Sequence, residues 1–167
     1  MKRVPKTLLT CNGYSILDLL IVMVTIGLVV SLAMPFMRTA QKPLLRANAA
    51  QQFSSYLQEA RSVSKKLRAS AAPQMAQITI LNDRYYTVTI DSTGDGVLDP
   101  PLVVSLEDRH VKMDGPFPRT FMFDWLGRVF DPNQNMVASP AVTFTNESGK
   151  TVVNFADAGR PALVVSK

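Results

Sequence analysis

The sequence predicts an α+β protein: one long N-terminal helix, apolar in its first half and amphipathic in its second, packed on an antiparallel, β-sandwich-like head. Three observations carry that prediction. Residues 19–36 are aliphatic or aromatic apart from Thr25, Gly27, Ser31 and Pro35, and none is charged. Ala49, Phe53, Tyr56, Leu57, Ala60, Val63 and Leu67 recur at three- and four-residue spacing, which puts them on one stripe of a helix. After Pro73 the pattern changes to short runs rich in β-branched and aromatic residues, separated by turn formers.

The apolar run is long enough to cross a bilayer, since a hydrocarbon core about 30 Å thick needs roughly 20 residues at a rise of 1.5 Å, and about 17 at the least. Asp18 stands at its edge. A carboxylate within such a segment costs on the order of 2.5–3.5 kcal/mol, so it is either paired and functional or held at the level of the lipid headgroups. Lys2, Arg3 and Lys6 precede the run without any acidic residue. An ordinary secretory signal carries its apolar region ahead of the cleavage site, whereas here the run follows Gly13. A lipoprotein signal at Cys11 has only Leu8 and Leu9 before it. Arg38, Lys42 and Arg46 follow the run as Lys2, Arg3 and Lys6 precede it, so the positive-inside count does not choose an orientation.

The amphipathic half, residues 38–70, contains Pro43, whose ring removes a backbone donor and is expected to bend or restart the helix. Its polar face is assigned Arg61, Lys65, Lys66 and Arg68. A basic solvated face complements the end of a helix dipole, and a contact with DNA is the functional alternative. In the head, residues 71–167, strands are predicted at 77–81, 85–90, 102–106, 111–113, 120–123, 128–130, 141–145, 151–155 and 162–165. Asn82-Asp83, Asp114-Gly115-Pro116, Asn133 with Asn135, Glu147-Ser148-Gly149 and Asp157-Ala158-Gly159 provide the turns between them. No repeat or low-complexity tract organises the region. Many short strands without a second long helix point to antiparallel sheets packed against the first.

Composition excludes several classes. The formal charge is +5, but removing the three basic residues of 1–13 leaves 15 basic against 13 acidic residues, so net charge gives no case for nucleic-acid affinity. The single cysteine, Cys11, lies in that leader, and the rest of the chain must be held by its core rather than by disulfides. The lone His110, between Arg109 and Val111, reads as a surface residue. There is no Gly-x-Ser-x-Gly elbow or phosphate-binding glycine loop, so no enzyme activity is expected. Trp125 is expected to pack in the core or on a hairpin rather than to stack a base.

One metal-like pattern occurs. Asp91, Thr93 and Asp95 alternate ahead of Gly96, with Asp99 following, as in a calcium loop; Leu102 stands where the closing bidentate Glu belongs. Calcium is thus the only cofactor the residues suggest, against the alternative of a hairpin turn built on Asp95-Gly96.

Gly13-Tyr14-Ser15-Ile16-Leu17-Asp18-Leu19-Leu20 resembles the class III signal of type IV pilins and pseudopilins, and Pro35 matches the helix-kinking proline of that family. The family usually has Phe or Met where this chain has Tyr14, and Glu where it has Asp18. The resemblance implies removal of residues 1–13 by a prepilin peptidase cutting after Gly13. It further implies single-pass insertion of residues 14–37 in the bacterial inner membrane with the head in the periplasm. Packing with other pilin or pseudopilin subunits would then set the Asp18 carboxylate against the freed Tyr14 amine of a neighbour. Arg46-Ala47-Asn48-Ala49-Ala50, Leu57-Gln58-Glu59-Ala60-Arg61, the run from Phe121 to Arg128 and Gly159-Arg160-Pro161-Ala162-Leu163 resemble the GspH/FimT group of minor pilins and pseudopilins. That group divides into type II secretion pseudopilins and type IV pilus minor pilins, implying secreted cargo or incoming DNA as a further partner. Its DNA-binding members share Gly-Arg-x-Arg; here Arg160 is present and Ala162 holds the second position. The structural alternative pairs Arg160 with a carboxylate such as Asp157.

Overall fold

A computed structural model describes residues 15–155 and 162–166, so Gly13, Tyr14, Asp157 and Arg160 lie outside the described residues. The fold is α+β, with an apolar N-terminal helical stretch and antiparallel sheets. The chain divides into two compact units, Met1–Arg38 and Thr39–Lys167, which are described separately. A single helix, α1 (Ile16–Leu67), contributes to both. Helix is maintained at Pro43 as well as Pro35, so the restart expected at Pro43 is not what the chain does. One missing donor is tolerated where the surrounding turns keep their own bonds.

In the second unit α1 ends in a turn that satisfies its last carbonyls. Arg68 takes a left-handed conformation with φ 51°. Its amide bonds the carbonyl of Lys65 at 3.3 Å, and that of Ala69 bonds Ser64 at 3.0 Å. This pair of bonds is the Schellman arrangement, and it stops the helix three residues before the predicted limit. Beyond it lie β1 (Gln77–Ile80), β2 (Tyr85–Thr89), β3 (Leu102–Ser105), β4 (Lys112–Asp114), β5 (Arg119–Phe123), β6 (Val129–Phe130), β7 (Ala141–Asn146), β8 (Gly149–Asn154) and β9 (Ala162–Ser166). Each coincides with a predicted strand to within two residues at either end.

Two sheets result, ordered β3-β2-β1-β5-β6 and β4-β7-β8-β9, and all their pairings are antiparallel. Period-two alternation sends one face of β1, β2 and β7 inward: Ile78 and Ile80, Tyr86 and Val88, Val142 and Phe144 are buried. Ala49, Ala50, Phe53, Leu57 and Ala60 of α1 join them in one core with Met113, Phe121, Phe123, Val153 and Phe155. Phe53 touches both sheets. Its ring meets Tyr86 of the first at 5.2 Å, Phe144 of the second at 5.4 Å and Phe155 at 6.3 Å, all edge to face, the arrangement aromatic quadrupoles prefer.

Two basic residues are buried, and one of them departs from the sequence reading. Arg61, assigned to the polar face, is buried; its guanidinium lies 5.6 Å from the Phe123 ring centre and donates to the Phe155 carbonyl at 3.0 Å. Position 61 adjoins the apolar stripe, and a long stem laid along aromatic side chains lets the charged head reach an acceptor. Arg46 is likewise buried. It donates to Thr151 Oγ1 at 2.9 Å, Ser148 Oγ at 3.2 Å and Asn146 Oδ1 at 3.4 Å, tying α1 to the β7–β8 turn. Arg46→Ala is expected to cost about 3 kcal/mol, since it removes charge-assisted bonds and strands the Thr151 hydroxyl. Arg46→Met keeps the packing without a guanidinium to desolvate and is expected to cost under about 1.5 kcal/mol. Urea unfolding of the two variants checks the difference.

Candidate functional site

The first unit presents the feature with the least internal explanation. Ile16–Ala33 is long and apolar enough to cross a membrane, and none of it is buried within the chain. A helix of a soluble core and a signal sequence near the N-terminus pass the same test of length and composition. Here Leu19, Ile21, Met23, Ile26, Val29 and Leu32 are all more than half exposed. Full exposure of such a side chain to water forfeits up to about 1.5–3 kcal/mol, which a covering of lipid or protein would recover.

The hydroxyls of this stretch are matched locally. Thr25 Oγ1 donates to the Val22 carbonyl at 2.9 Å, and Ser31 Oγ to that of Leu28 at 2.8 Å, which removes the penalty of placing a hydroxyl in hydrocarbon. A methyl added at Gly27 would meet nothing within 4 Å. Ser15 caps the helix: its Oγ accepts from the Leu17 amide at 3.3 Å, with Asp18 in the first turn. A carboxylate there complements the partial positive charge of the helix N-terminus. Asp18 itself is exposed and, among the described residues, has no side-chain partner. Pro35 lies within α1, whereas Gly13, Tyr14 and Arg160 cannot be placed against either feature because they fall outside the described residues.

In the second unit the calcium-like pattern forms the 12-residue connection between β2 and β3, a hairpin link longer than a two-residue Asp-Gly turn. Asp91 is buried and organises it. Its Oδ1 accepts from the Gly94 amide and, at 3.1 Å, from Thr93 Oγ1; its Oδ2 accepts from the Gly96 amide at 2.7 Å. Gly94 and Gly96 adopt φ values of 80° and 87°, which a Cβ would strain. Asp99 turns to the Ser92 amide at 2.8 Å, and Asp95 to the Val97 amide at 2.8 Å. The carboxylates of Asp91, Asp95 and Asp99 thus accept from the loop's own donors, and Thr93 is one of those donors. Among the described residues no three His, Cys, Asp or Glu side chains are grouped to hold a metal.

Burial acts to raise the Asp91 pKa, but the donors from Gly94, Gly96, Thr93 and Asp95 outweigh it and hold the carboxyl below its ordinary value. A depressed folded-state pKa means that the ionised group stabilises the loop above its unfolded value of about 3.9, and that this contribution is lost as pH falls through the lower folded value. Asp91→Asn is therefore expected to lower Tm at neutral pH and flatten the acid side of its pH dependence. Melting curves taken from neutral into the acid range test this.

His110 is exposed in a left-handed conformation after a short 3-10 turn. It borders a groove of about 680 Å³ lined by Arg84, Leu106, Glu107, Lys112 and Glu147. The Lys42 ammonium bonds Glu147 and holds that carboxyl below its usual value. Trp125, expected in the core or packed on a hairpin, lies in the β5–β6 hairpin turn, 48% exposed and anchored by its amide on the Ala69 carbonyl at 3.0 Å. Asp124 holds that turn. It is buried and accepts from the amides of Leu126 and Arg128 at 3.0 and 2.8 Å, and from the Arg128 guanidinium. An Asp three residues before a positive-φ Gly127 is a readable turn signal that the sequence reading passed over. Comparison of the chain with protein-family models, with curated proteins and with solved structures finds no match.

Proposed function

We propose that the chain is a minor pilin or pseudopilin, a membrane-inserted subunit of a type IV pilus or type II secretion pseudopilus. On this reading residues 1–13 are a leader, residues 14–37 insert in the membrane, and the remainder forms a periplasmic amphipathic helix and β-sandwich-like head. The observation that supports it most is the uncovered apolar helix with a single carboxylate in its first turn, directly behind the Gly13-Tyr14 junction in the sequence. In lipid the stretch is stable alone. In a filament the same side chains pack against neighbouring helices, and the Asp18 carboxylate offsets the Tyr14 amine of an adjacent subunit, which would be costly to bury unpaired. No chemistry is required of the head, whose surface loops contact other subunits or cargo.

The test is expression with and without a prepilin peptidase, followed by mass measurement of the intact chain. A chain beginning at Tyr14 only when the peptidase is present supports the reading; one beginning at Met1 in both cases overturns it. Asp18→Ala is expected to leave cleavage and insertion intact while lowering incorporation severalfold, the effect of losing an interaction of about 1 kcal/mol. Quantifying the variant in sheared filaments against the membrane fraction measures it, and equal incorporation removes the pairing.

A DNA-binding minor pilin is the second reading. It draws on Arg160 and on one placement: Lys65 Cε lies 3.0 Å from where a Cβ of Gly127 would be, which brings the basic end of α1 to the turn bearing the exposed Trp125. Salt-dependent duplex binding, lost in Arg160→Ala, would select it.

A further inference from the structure

Trp125 is the only tryptophan of the chain, and it is fixed at the surface of the second unit. Its amide is tied to Ala69, and the carboxylate of its neighbour Asp124 accepts from the Leu126 and Arg128 amides. Burial does not account for a large aromatic placed this way. Beside it lies a hollow of about 200 Å³. Trp125, Phe130 and Met75 give the hollow its apolar surface, and Ser70, Gln134 and the paired Arg128 and Asp124 give it its polar surface. All of these residues belong to the second unit.

The polar groups of the hollow divide into engaged and free. The Arg128 guanidinium is engaged: its Nε and Nη2 reach Asp124 Oδ2 at 2.8 and 2.7 Å, and it lies 5.5 Å from the centre of the Phe130 ring. Among the described residues nothing bonds Arg128 Nη1, Ser70 Oγ, the Gln134 side-chain amide or the Trp125 indole N–H. Gln134 itself stands at φ 62° in a turn that Asp131 Oδ1 closes on the Asn135 amide at 2.8 Å. Both walls are therefore set by rigid turns, and an occupant would pay little to order them. The charges of Arg128 and Asp124 cancel, and Lys65, Lys66 and Arg68 at the end of α1 are not among the walls. A phosphate would find no uncompensated cation here, and a wholly apolar occupant would strand the free donors.

We propose that this hollow binds one pyranose ring of a neutral saccharide. Such a ring has a face of C–H groups and a rim of hydroxyls, the pairing that an aromatic wall with a few fixed polar groups recognises. Its C–H face covers Trp125 and the apolar wall behind it, and its hydroxyls take up Ser70 Oγ, the Gln134 amide and Arg128 Nη1. The volume is that of a single ring, since pockets for drug-sized ligands run to about 300–1,000 Å³. A nucleobase stacked on Trp125 is the competing use of the same aromatic, and it would leave Ser70 and Gln134 without a part. The saccharide site goes beyond the proposed function, which asks nothing of this turn, and it stands or falls independently of cleavage after Gly13.

The experiment uses the full chain in a detergent without a sugar headgroup and follows the emission of Trp125, to which no other tryptophan contributes. The probes are the methyl glycosides of glucose, galactose and mannose, and N-acetylglucosamine. A saturable change is expected with at least one of them, half complete at about 1 mM, the order set by a ligand of about a dozen heavy atoms. Glycerol at matched hydroxyl concentration is expected to give none. Ser70→Ala and Gln134→Ala, both at exposed positions, are each expected to weaken binding about fivefold, the loss of one hydrogen bond, with Tm unchanged. Trp125→Ala is expected to abolish saturation transfer from the protein to the sugar protons in NMR. No saturable change with any sugar, an equal response to glycerol, unaltered affinity in both Ser70→Ala and Gln134→Ala, or saturation transfer that persists in Trp125→Ala would each overturn the proposal. An emission change given by oligothymidylate and by none of the sugars would overturn it as well, assigning Trp125 to a base.

Discussion

If the chain is processed as proposed, a bulky residue at position 13, such as Gly13→Phe, is expected to leave essentially all of it beginning at Met1, heavier than a chain beginning at Tyr14 by the mass of residues 1–13. A peptidase must draw the scissile carbonyl into contact with its catalytic groups, and a residue without a Cβ permits the closest approach of backbone to a partner surface. The unprocessed chain would retain Lys2, Arg3 and Lys6 ahead of the apolar helix. Those three charges have no place in a packed bundle of such helices, so the precursor is also expected to be missing from filaments while still inserting in the membrane. Intact-mass measurement on the membrane fraction reads the first effect, and immunodetection in sheared filaments the second. Normal cleavage of Gly13→Phe would remove the processing argument without touching the apolar helix.

Phe53→Ala is expected to have the largest effect on the head, a loss of about 3–5 kcal/mol in a domain whose total stability is of the order of 5–15 kcal/mol. The side chain is fully buried and packs against Tyr86, Phe144 and Phe155, so truncation loosens the helix from both sheets at once. The Tyr86 hydroxyl is buried without a hydrogen-bond partner among the described residues, and burial raises its pKa. A cavity beside it would admit water to that hydroxyl. Phe53→Leu retains most of the volume and is expected to cost roughly 1.5 kcal/mol or less. Chemical unfolding of both variants decides the matter, and a change below about 1 kcal/mol for Phe53→Ala would contradict the central placement of this ring.

The strands were legible because their signal is local. Alternation such as Gln77-Ile78-Thr79-Ile80, bounded by turn formers, needs no knowledge of the rest of the chain, and all nine predicted runs are strands. The helical stripe was equally legible: Ala49, Phe53, Leu57 and Ala60 are fully buried. Arg61 was misplaced and Arg46 passed over because a periodicity argument sorts residues by polarity, whereas a long side chain beside the stripe is placed by the acceptor it finds. Those acceptors, the Phe155 carbonyl and Thr151 Oγ1, lie about a hundred residues further on, and no local pattern points to them. The loop at Asp91 had a comparable difficulty. Alternating carboxylates suit a cation and suit the amides of a tight loop equally well, and only the path of the backbone decides which donors reach them.

The hydroxyls of Thr25 and Ser31 have a consequence for how such helices meet. Each is satisfied by a carbonyl of its own turn, so the cylinder from Leu19 to Ala33 offers a companion grease and no polar handhold. Grease alone does not fix where two rods stop sliding or revolving past one another. Whatever pins the axial stagger of this helix in an assembly must therefore come from its extremities, from the lone acid near its beginning or from the folded portion beyond its end.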